Sequence, residues 1–262
     1  MEPSHHRLQQ VFPDPPPDID LGTFKVDRLP GHVAVIMDGN GRWAEARQLG
    51  RIKGHSAGIR AVRELIRASN DIGVRYLTIY SFSTENWSRP VDEVQALMLL
   101  FAKTMAAELE PLYDEDVRIR IIGDISALPK RTANIFKQAV EKTCDNRGMT
   151  LTIAVNYGSR QEILQAARIL VAKSLAAEVG AKDPGSLTAA DFEACLDTHG
   201  LPDPDLLIRT SGEFRLSNFL LYQIAYSEVY VSPVLWPDFD RYELLRAILA
   251  YQGRERRYGG LR

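Results

Sequence analysis

An alternation of short β-branched runs with longer helical patterns constrains this chain more than any other feature. The runs are HVAVIMD at 32–38, YLTIYSFS at 76–83, VRIRIIGD at 117–124, LTIAVNYG at 151–158 and LLIRTSG at 206–212, with EVYVS at 228–232 as a sixth. Near-continuous apolar runs of this length suit strands buried on both faces. Between the first two, AGIRAVRELIRASNDIG places Ile59, Val62, Leu65, Ile66 and Ile72 on one helical face, and Gly73 closes it. The alternation predicts an α/β fold with a mostly parallel central sheet of about six strands, covered on both faces and joined by right-handed crossovers.

RPVDEVQALMLLFAKTMAAELEPLY reads as a long helix, because Val91, Val94, Leu97, Met98, Phe101, Met105, Leu109 and Leu112 step at three- or four-residue intervals. Ala96, Leu99, Leu100, Ala102 and Ala106 widen its apolar arc beyond one sheet contact. Two readings stand: a helix buried on two sides or at a dimer interface, or one whose second face lines a cavity. In the second case it would flank a hydrophobic tunnel roughly 30 Å long at the helical rise.

A chain of 262 residues, 45% hydrophobic, is long enough for one large core, and residues 29–262 read as a single domain. Residues 1–28 carry Pro13, Pro15, Pro16 and Pro17 among acids with no periodicity, and read as a flexible arm dispensable for turnover. A formal charge of −2 argues against a nucleic-acid partner, so any anion site must be local. Cys144 and Cys195 lack CxxC spacing, which speaks against a thiolate metal site or a disulfide framework and for a cytoplasmic location. No apolar run approaches the roughly 20 residues of a membrane span, and the first residues lack the apolar core of a signal peptide.

In an open parallel sheet, ligands bind beyond the carboxyl ends of the strands. Four runs end in polar turns there: DGNGRW, SFSTENWSRP, NYGSR and RTSGEFRLSN. In the first, Gly39 and Gly41 permit close backbone approach, so amides can face an anion at a helix start, and Arg42, Arg51 and His55 add donors. Asp38 beside such cations suits a Mg²⁺ bridging phosphates; the alternative is an N-cap. In the last, Arg209 and Arg215 with Ser211 and Ser217 suit a second anion. Glu228 reads equally as a metal ligand or an arginine's partner. Ser83 and Asn86 are turn formers by default, Trp87 covers apolar surface, and Arg89 caps or binds.

HVAVIMDGNGRWA, GHSAG, YSFSTENWSRP, IRIIGD, AVNYGSR, DLLIRTSGEFRLSNFLLYQIAYSE, LWPDF and RERRYGG, in that order, closely resemble the cis-prenyltransferases typified by bacterial undecaprenyl diphosphate synthase, over about residue 30 to Gly260. The resemblance implies a homodimer of parallel-sheet protomers with a hydrophobic tunnel, its sites completed across the interface. It also implies transfer of isopentenyl diphosphate in cis to an allylic diphosphate, with Mg²⁺ as cofactor. Asp38 would organise Mg²⁺, while Gly39, Asn40, Gly41, Arg42, Arg51 and His55 would hold the allylic diphosphate, with Trp43 beside or beneath them. Arg209, Arg215 and Ser217 would hold isopentenyl diphosphate. Ser83, Thr84, Glu85, Asn86, Trp87 and Arg89 would line the reacting region, Ser83 and Asn86 assisting proton removal. Glu228, a second metal ligand, and the terminal RERRYGG would approach a site across the dimer interface.

The implied product is undecaprenyl diphosphate made from farnesyl diphosphate, a lipid-carrier precursor for cell-wall glycan, with Met149 or Phe101 closing the tunnel floor. Decaprenyl and shorter products remain alternatives, and a peripheral membrane contact at product release is left open. Phe214 stands where some members of the family have histidine, which removes an imidazole from the metal's surroundings. VIMDG also resembles the strand-end aspartate of haloacid dehalogenase-type phosphohydrolases, but those need a second aspartate where this chain has Asn40. An inactive binding subunit would lack the first turn or the paired arginines, and both are present.

Overall fold

The strand β1 (His32–Ile36) is buried at every position, and its side chains alternate between two cores. Val33 and Val35 enter the larger core, Ala34 and Ile36 the smaller, as a two-residue period dictates. In this computed structural model, which describes residues 5–176 and 184–254, β1 is one of six strands. The others are β2 (Tyr76–Ser83), β3 (Arg118–Ile122), β4 (Thr150–Tyr157), β5 (Leu206–Arg209) and β6 (Glu228–Val231). Their order is β3-β4-β2-β1-β5-β6 and every pairing is parallel. The six expected strands are all present, with bounds that differ from expectation by at most a few residues.

Around the sheet lie α1 (His5–Val11), α2 (Asn40–Glu45), α3 (Arg51–Ile72), α4 (Val91–Asp114) and α5 (Lys130–Lys142), then α6 (Ser159–Ala176), α7 (Ala189–Glu193) and α8 (Arg241–Gln252). Gly73 ends α3 at φ +93°, the left-handed cap its position in the sequence implied. The larger core packs α3, α4, α5 and α8 on one face of the sheet. On the other face, Phe219, Leu220 and Ile224 cover Ala34, Ile36 and Leu207, with Tyr80 stacked on Phe219 at 4.4 Å. Because β2 and β5 flank β1 on opposite sides, the chain leaves β1 one way and returns on the other, and a crevice opens at the carboxyl ends.

The reading of residues 1–28 as a flexible arm is corrected for the described part. Leu8 and Phe12 are fully buried, and Ile19 and Phe24 nearly so, all in the larger core. Polar ties hold the segment to α8: Arg241 donates to the Val11 carbonyl at 2.8 Å, Tyr242 donates to that of Pro13, and Arg246 forks onto Asp18 at 2.8 and 3.0 Å. The prolines shape an ordered path, and four scattered apolar residues suffice to dock it without helical periodicity. We expect Phe12→Ala to lower the unfolding free energy by about 3 kcal/mol in urea titrations.

His32, at the foot of β1, ties three segments. Pro202 O can only accept, so Nδ1 donates to it at 2.7 Å, and Nε2 accepts from the Thr78 hydroxyl at 2.7 Å. Burial pushes its pKa down to about 4, against smaller opposing effects from the Pro202 bond and Asp205. The folded state therefore keeps His32 neutral while the unfolded chain takes a proton below about 6.5. Stability from this group is present above pH 6.5 and is lost as pH falls toward 4. Between pH 7 and 5 the loss is about 2 kcal/mol, measurable as a drop in the urea midpoint that His32→Gln diminishes.

Candidate active site

The turns after β1 and β5 lock together at the crevice. Arg209, 4% exposed at the end of β5, donates from Nη2 to Asp38 Oδ2 at 2.9 Å and from Nη1 to Ser217 Oγ at 2.7 Å and the Arg215 carbonyl. Thr210 Oγ1 donates to the Asp38 carbonyl at 2.6 Å and accepts the Asp38 amide at 2.9 Å. Arg42, from α2, reaches Ser211 Oγ at 2.6 Å and lies 3.7 Å from Asp38 Oδ2. Gly39 caps α2 at φ +109°, and a Cβ there would meet Ser211 Oγ at 2.6 Å and the Leu235 backbone at 3.1 Å. Asp38 is thus an ion-pair partner and not the helix cap.

A second cationic group descends from the start of α3. Gly54 lets α3 approach α2, since a Cβ there would strike the Asn40 carbonyl at 2.0 Å. Arg51 and Arg89 share one carboxylate, Glu93 of α4, at 3.5 and 3.2 Å. His55 lies between these arginines; burial first, then the charges of Arg89 and Arg51, lower its pKa to about 4. At neutral pH it is therefore a neutral hydrogen-bonding group here, and an arriving anion would offset the two arginines and favour its proton.

The turn after β2 is a short 3-10 helix, Thr84–Ser88, in which Asn86 Oδ1 accepts the Ser83 amide at 3.1 Å. Trp87 packs edge-on against Phe82 and donates Nε1 to Asn156 Oδ1 at 2.7 Å. Asn156 is buried at φ +49° and also donates to the Asp124 carbonyl, so it pins the β2 turn to the end of β4. Asn218 does the same from the β5 side, donating to Glu85 at 2.9 Å.

These turns rim a cavity of about 620 Å³. Asp38, Gly39, Asn40, Gly41, Arg51 and His55 line its mouth, facing Ser83, Glu85, Asn86, Arg89, Arg209 and Ser217. Below, Ile59, Val62 and Ile66 of α3 and Leu97, Phe101 and Met105 of α4 form apolar walls, and Leu112, Phe136, Leu151 and Ile153 close the far end. The cavity is cationic at one end only and mostly apolar below it, with Thr104 and Glu108 as polar exceptions, which suits an anionic head with a hydrocarbon tail.

Residues 36–259 match the family model described as "Putative undecaprenyl diphosphate synthase". An isoprenyl transferase of Prochlorococcus marinus is 48% identical over 234 residues, 89% of this chain and 87% of the relative. The chain belongs to the cis-prenyltransferase family of isoprenyl transferases. Isoprenyl transferase 2 of Bradyrhizobium diazoefficiens is 50% identical, covering 88% of this chain and 91% of the relative. A crystal structure of lavandulyl diphosphate synthase from Lavandula x intermedia, in complex with dimethylallyl diphosphate, superposes with a TM-score of 0.85 at 36% identity, over 89% of this chain and all of that one. A "probable undecaprenyl diphosphate synthase" from Campylobacter jejuni superposes at 0.73 with 32% identity, over 88% of this chain and 99% of the other.

Not every expected residue of this isoprenyl transferase reaches the cavity. Trp43 does not line it: its indole donates to Asp238 at 2.7 Å with Arg47 over the ring, because α2 presents position 43 to the 236–238 turn. Thr84 and Trp87 belong to the β2 turn but do not line the cavity, and Thr84 Oγ1 is buried without a partner among the described residues. Arg42 and Arg215 sit at the rim, both paired with Glu213 at 3.3 and 2.8 Å. Phe214 is 85% exposed, and Met149 is packed in the core rather than at the floor, whereas Phe101 lines the tunnel.

Glu228 does not join Asp38 within one chain. It pairs with Leu206, three positions before the level of Arg209, whereas Asp38 lies two beyond that level, and it is ion-paired with Arg254 at 2.5 Å. The rest of RERRYGG lies outside the described residues. Among the described residues no cluster of three acidic, histidine or cysteine side chains forms a closed metal cage. A Mg²⁺ needs none, since it commonly takes one or two carboxylates plus phosphate oxygens. Asp38 fits: both guanidinium contacts converge on Oδ2, and the carboxylate is open to the cavity mouth.

Sequence reading missed Thr210, Glu93, Asn156 and Trp236. Trp236 lies in the quoted LWPDF and lines the cavity with its Nε1 on the Gly58 carbonyl, but the motif alone assigned it no role. Asn156→Ala removes the Trp87 partner and strains a left-handed position. We expect a tenfold or so rise in KM with a folded protein destabilised by about 1–3 kcal/mol, read by steady-state kinetics and thermal melting.

Proposed function

We propose that this isoprenyl transferase is a Mg²⁺-dependent homodimer that adds isopentenyl diphosphate repeatedly, in cis, to farnesyl diphosphate, with undecaprenyl diphosphate as its main product. The observation that carries the reading is a cation-rich mouth, with Arg209 Nε buried and unpartnered among the described residues, opening onto an apolar tunnel. A buried donor without a partner is costly unless a ligand takes it. The structural relative from Lavandula holds dimethylallyl diphosphate, which supports an allylic diphosphate as the tunnel's occupant here.

In this reading the amides of Gly39, Asn40 and Gly41, with Arg51 and His55, hold the allylic diphosphate over the tunnel. Arg209, Ser217 and Arg215 hold isopentenyl diphosphate. Asp38 would hold Mg²⁺, which when bound would supply neutralisation of the diphosphate's charge. The allylic C–O bond breaks with its electron pair leaving on the diphosphate, and the π bond of isopentenyl diphosphate attacks the freed carbon. A proton lost from the adjacent carbon closes the new double bond. Ser83 and Asn86 orient that carbon, and the released diphosphate is the more basic proton acceptor. Orienting two anions against each other supplies much of the acceleration. Glu228 would serve a neighbouring protomer's site, consistent with its distance from its own Asp38. Among the described residues no helix is long and apolar enough to cross a membrane, so a product this apolar would leave from a peripheral contact.

A shorter product is the second reading, favoured by the tunnel's depth. From Glu93 to Leu112, α4 descends about 28 Å. An extended chain gains about 1.2 Å per backbone bond, so a four-bond isoprene unit spans about 4–5 Å and the tunnel holds about six.

Asp38→Asn preserves volume while removing the charge that faces Arg209. We expect a folded variant whose incorporation of labelled isopentenyl diphosphate falls by about a hundredfold or more. Near-normal incorporation would remove Asp38 from the mechanism, and reversed-phase chromatography of the wild-type products decides between the two lengths.

A further inference from the structure

The far half of the tunnel has a weak seam in its wall. A second void of about 30 Å³ lies between α3 and α4, lined by Arg63, Arg67, Pro111 and Glu115. It shares Ile59, Val62, Ile66, Thr104, Glu108 and Leu112 with the main cavity. Those six side chains line both voids and so stand between them. Glu108 is the unexpected member, a carboxylate in an apolar wall, with its side chain 17% exposed. Arg63 binds it from outside through Nε at 2.6 Å and Nη2 at 2.5 Å, and Arg67 meets Glu115 one step further down at 3.4 Å.

Two physical facts make this seam able to open. Arg63 and Arg67 are 44% and 55% exposed, so water competes for both pairs and holds them loosely. Pro111 lies inside α4 and has no amide to give the Ala107 carbonyl, so the turn beside Glu108 lacks a helical bond. An apolar residue at 108 would seal the wall more firmly than a carboxylate that must be paired.

We propose that the Arg63–Glu108 pair is a latch on a side exit from the tunnel, through which the tail of a growing polyprenyl chain leaves once it exceeds the depth of the cavity. The proposal rests on the elongation reading above. Up to about six units the tail fits inside, and the latch stays shut. A longer tail displaces the side chains at 104 and 108 and emerges between α3 and α4 while its diphosphate stays at the mouth. Arg63 and Glu108 are then determinants of product length that never touch the reacting atoms.

The test uses the full-length protein with Mg²⁺, farnesyl diphosphate and labelled isopentenyl diphosphate, reading chain length by chromatography and folding by thermal melting. The Arg63→Leu, Glu108→Leu pair seals the seam with apolar packing; we expect its products to stop near six units, with the short-to-long ratio raised at least tenfold and little change in the rate of the first addition. Arg63→Ala and Glu108→Ala free the seam and shift the distribution to longer chains. The exchange Arg63→Glu, Glu108→Arg re-forms the latch and restores the wild-type distribution, which a role in stability alone does not explain. A folded leucine pair that makes wild-type lengths at the wild-type rate overturns the latch. Wild-type products of six units or fewer refute the undecaprenyl reading separately; the latch then stands only if the alanine variants lengthen them, and falls if they do not.

Discussion

The pair between Asp38 and Arg209 joins the ends of two adjacent strands, and the site is organised from it. β1 and β5 are in register at Ile36 and Arg209, so the two turns begin at the same level. The salt bridge at 2.9 Å and the two Thr210 bonds to the Asp38 backbone then fix how the turns leave the sheet. Everything beyond depends on that: Gly39 can approach Ser211, α2 can start one residue later, and Arg42 can cross to the β5 turn. With the carboxylate removed, Arg209 would keep Ser217 and the Arg215 carbonyl but lose its carboxylate partner. The same arginine would then serve structure and ligand at once, since its Nε remains available.

Charge at the mouth is partly offset before any substrate arrives, three carboxylates standing against five arginines. Glu93 answers Arg51 and Arg89, Glu213 answers Arg42 and Arg215, and Asp38 answers Arg209. A protein with a net charge of −2 can therefore keep a cationic pocket without a surface excess of lysine and arginine. An anion entering the mouth competes with carboxylates already in place, and those carboxylates set how strongly each arginine is offered. His55 responds in the opposite sense, because its low pKa comes partly from the same arginines that an anion would neutralise.

The strands and the long helices were legible because their signals are periodic and local. The near-continuous apolar run of β1, suited to burial on both faces, reads without coordinates, and so does the helix stop at Gly73. Most of the mouth was legible too, since residues at strand ends converge by topology. The docked arm was not, because Leu8, Phe12, Ile19 and Phe24 have no common period and are held by partners more than two hundred residues away in α8. Trp43 misled for a related reason. It lies among residues that face the cavity, but a six-residue helix turns its side chain toward the 236–238 turn, whose position no local pattern encodes.

The breadth of the apolar face on α4 left two readings open, and the structure assigns its positions to different tasks. Val94 and Met98 are buried in the larger core and do not line the cavity, so this side is committed to packing, while Leu97 and Met105 serve both core and cavity wall. Leu100, Phe101, Thr104 and Glu108 line the cavity along the next stripe. Leu99, 64% exposed, belongs to neither. The cavity stripe changes character along its length, from leucine and phenylalanine near the middle to threonine and glutamate lower down. A stripe built only to hold a hydrocarbon would stay apolar to its end, since each polar group there needs a partner. The change falls where the sheet side closes with Leu112, Phe136 and Leu151, so the wall toward α3 is the side on which the tunnel can give.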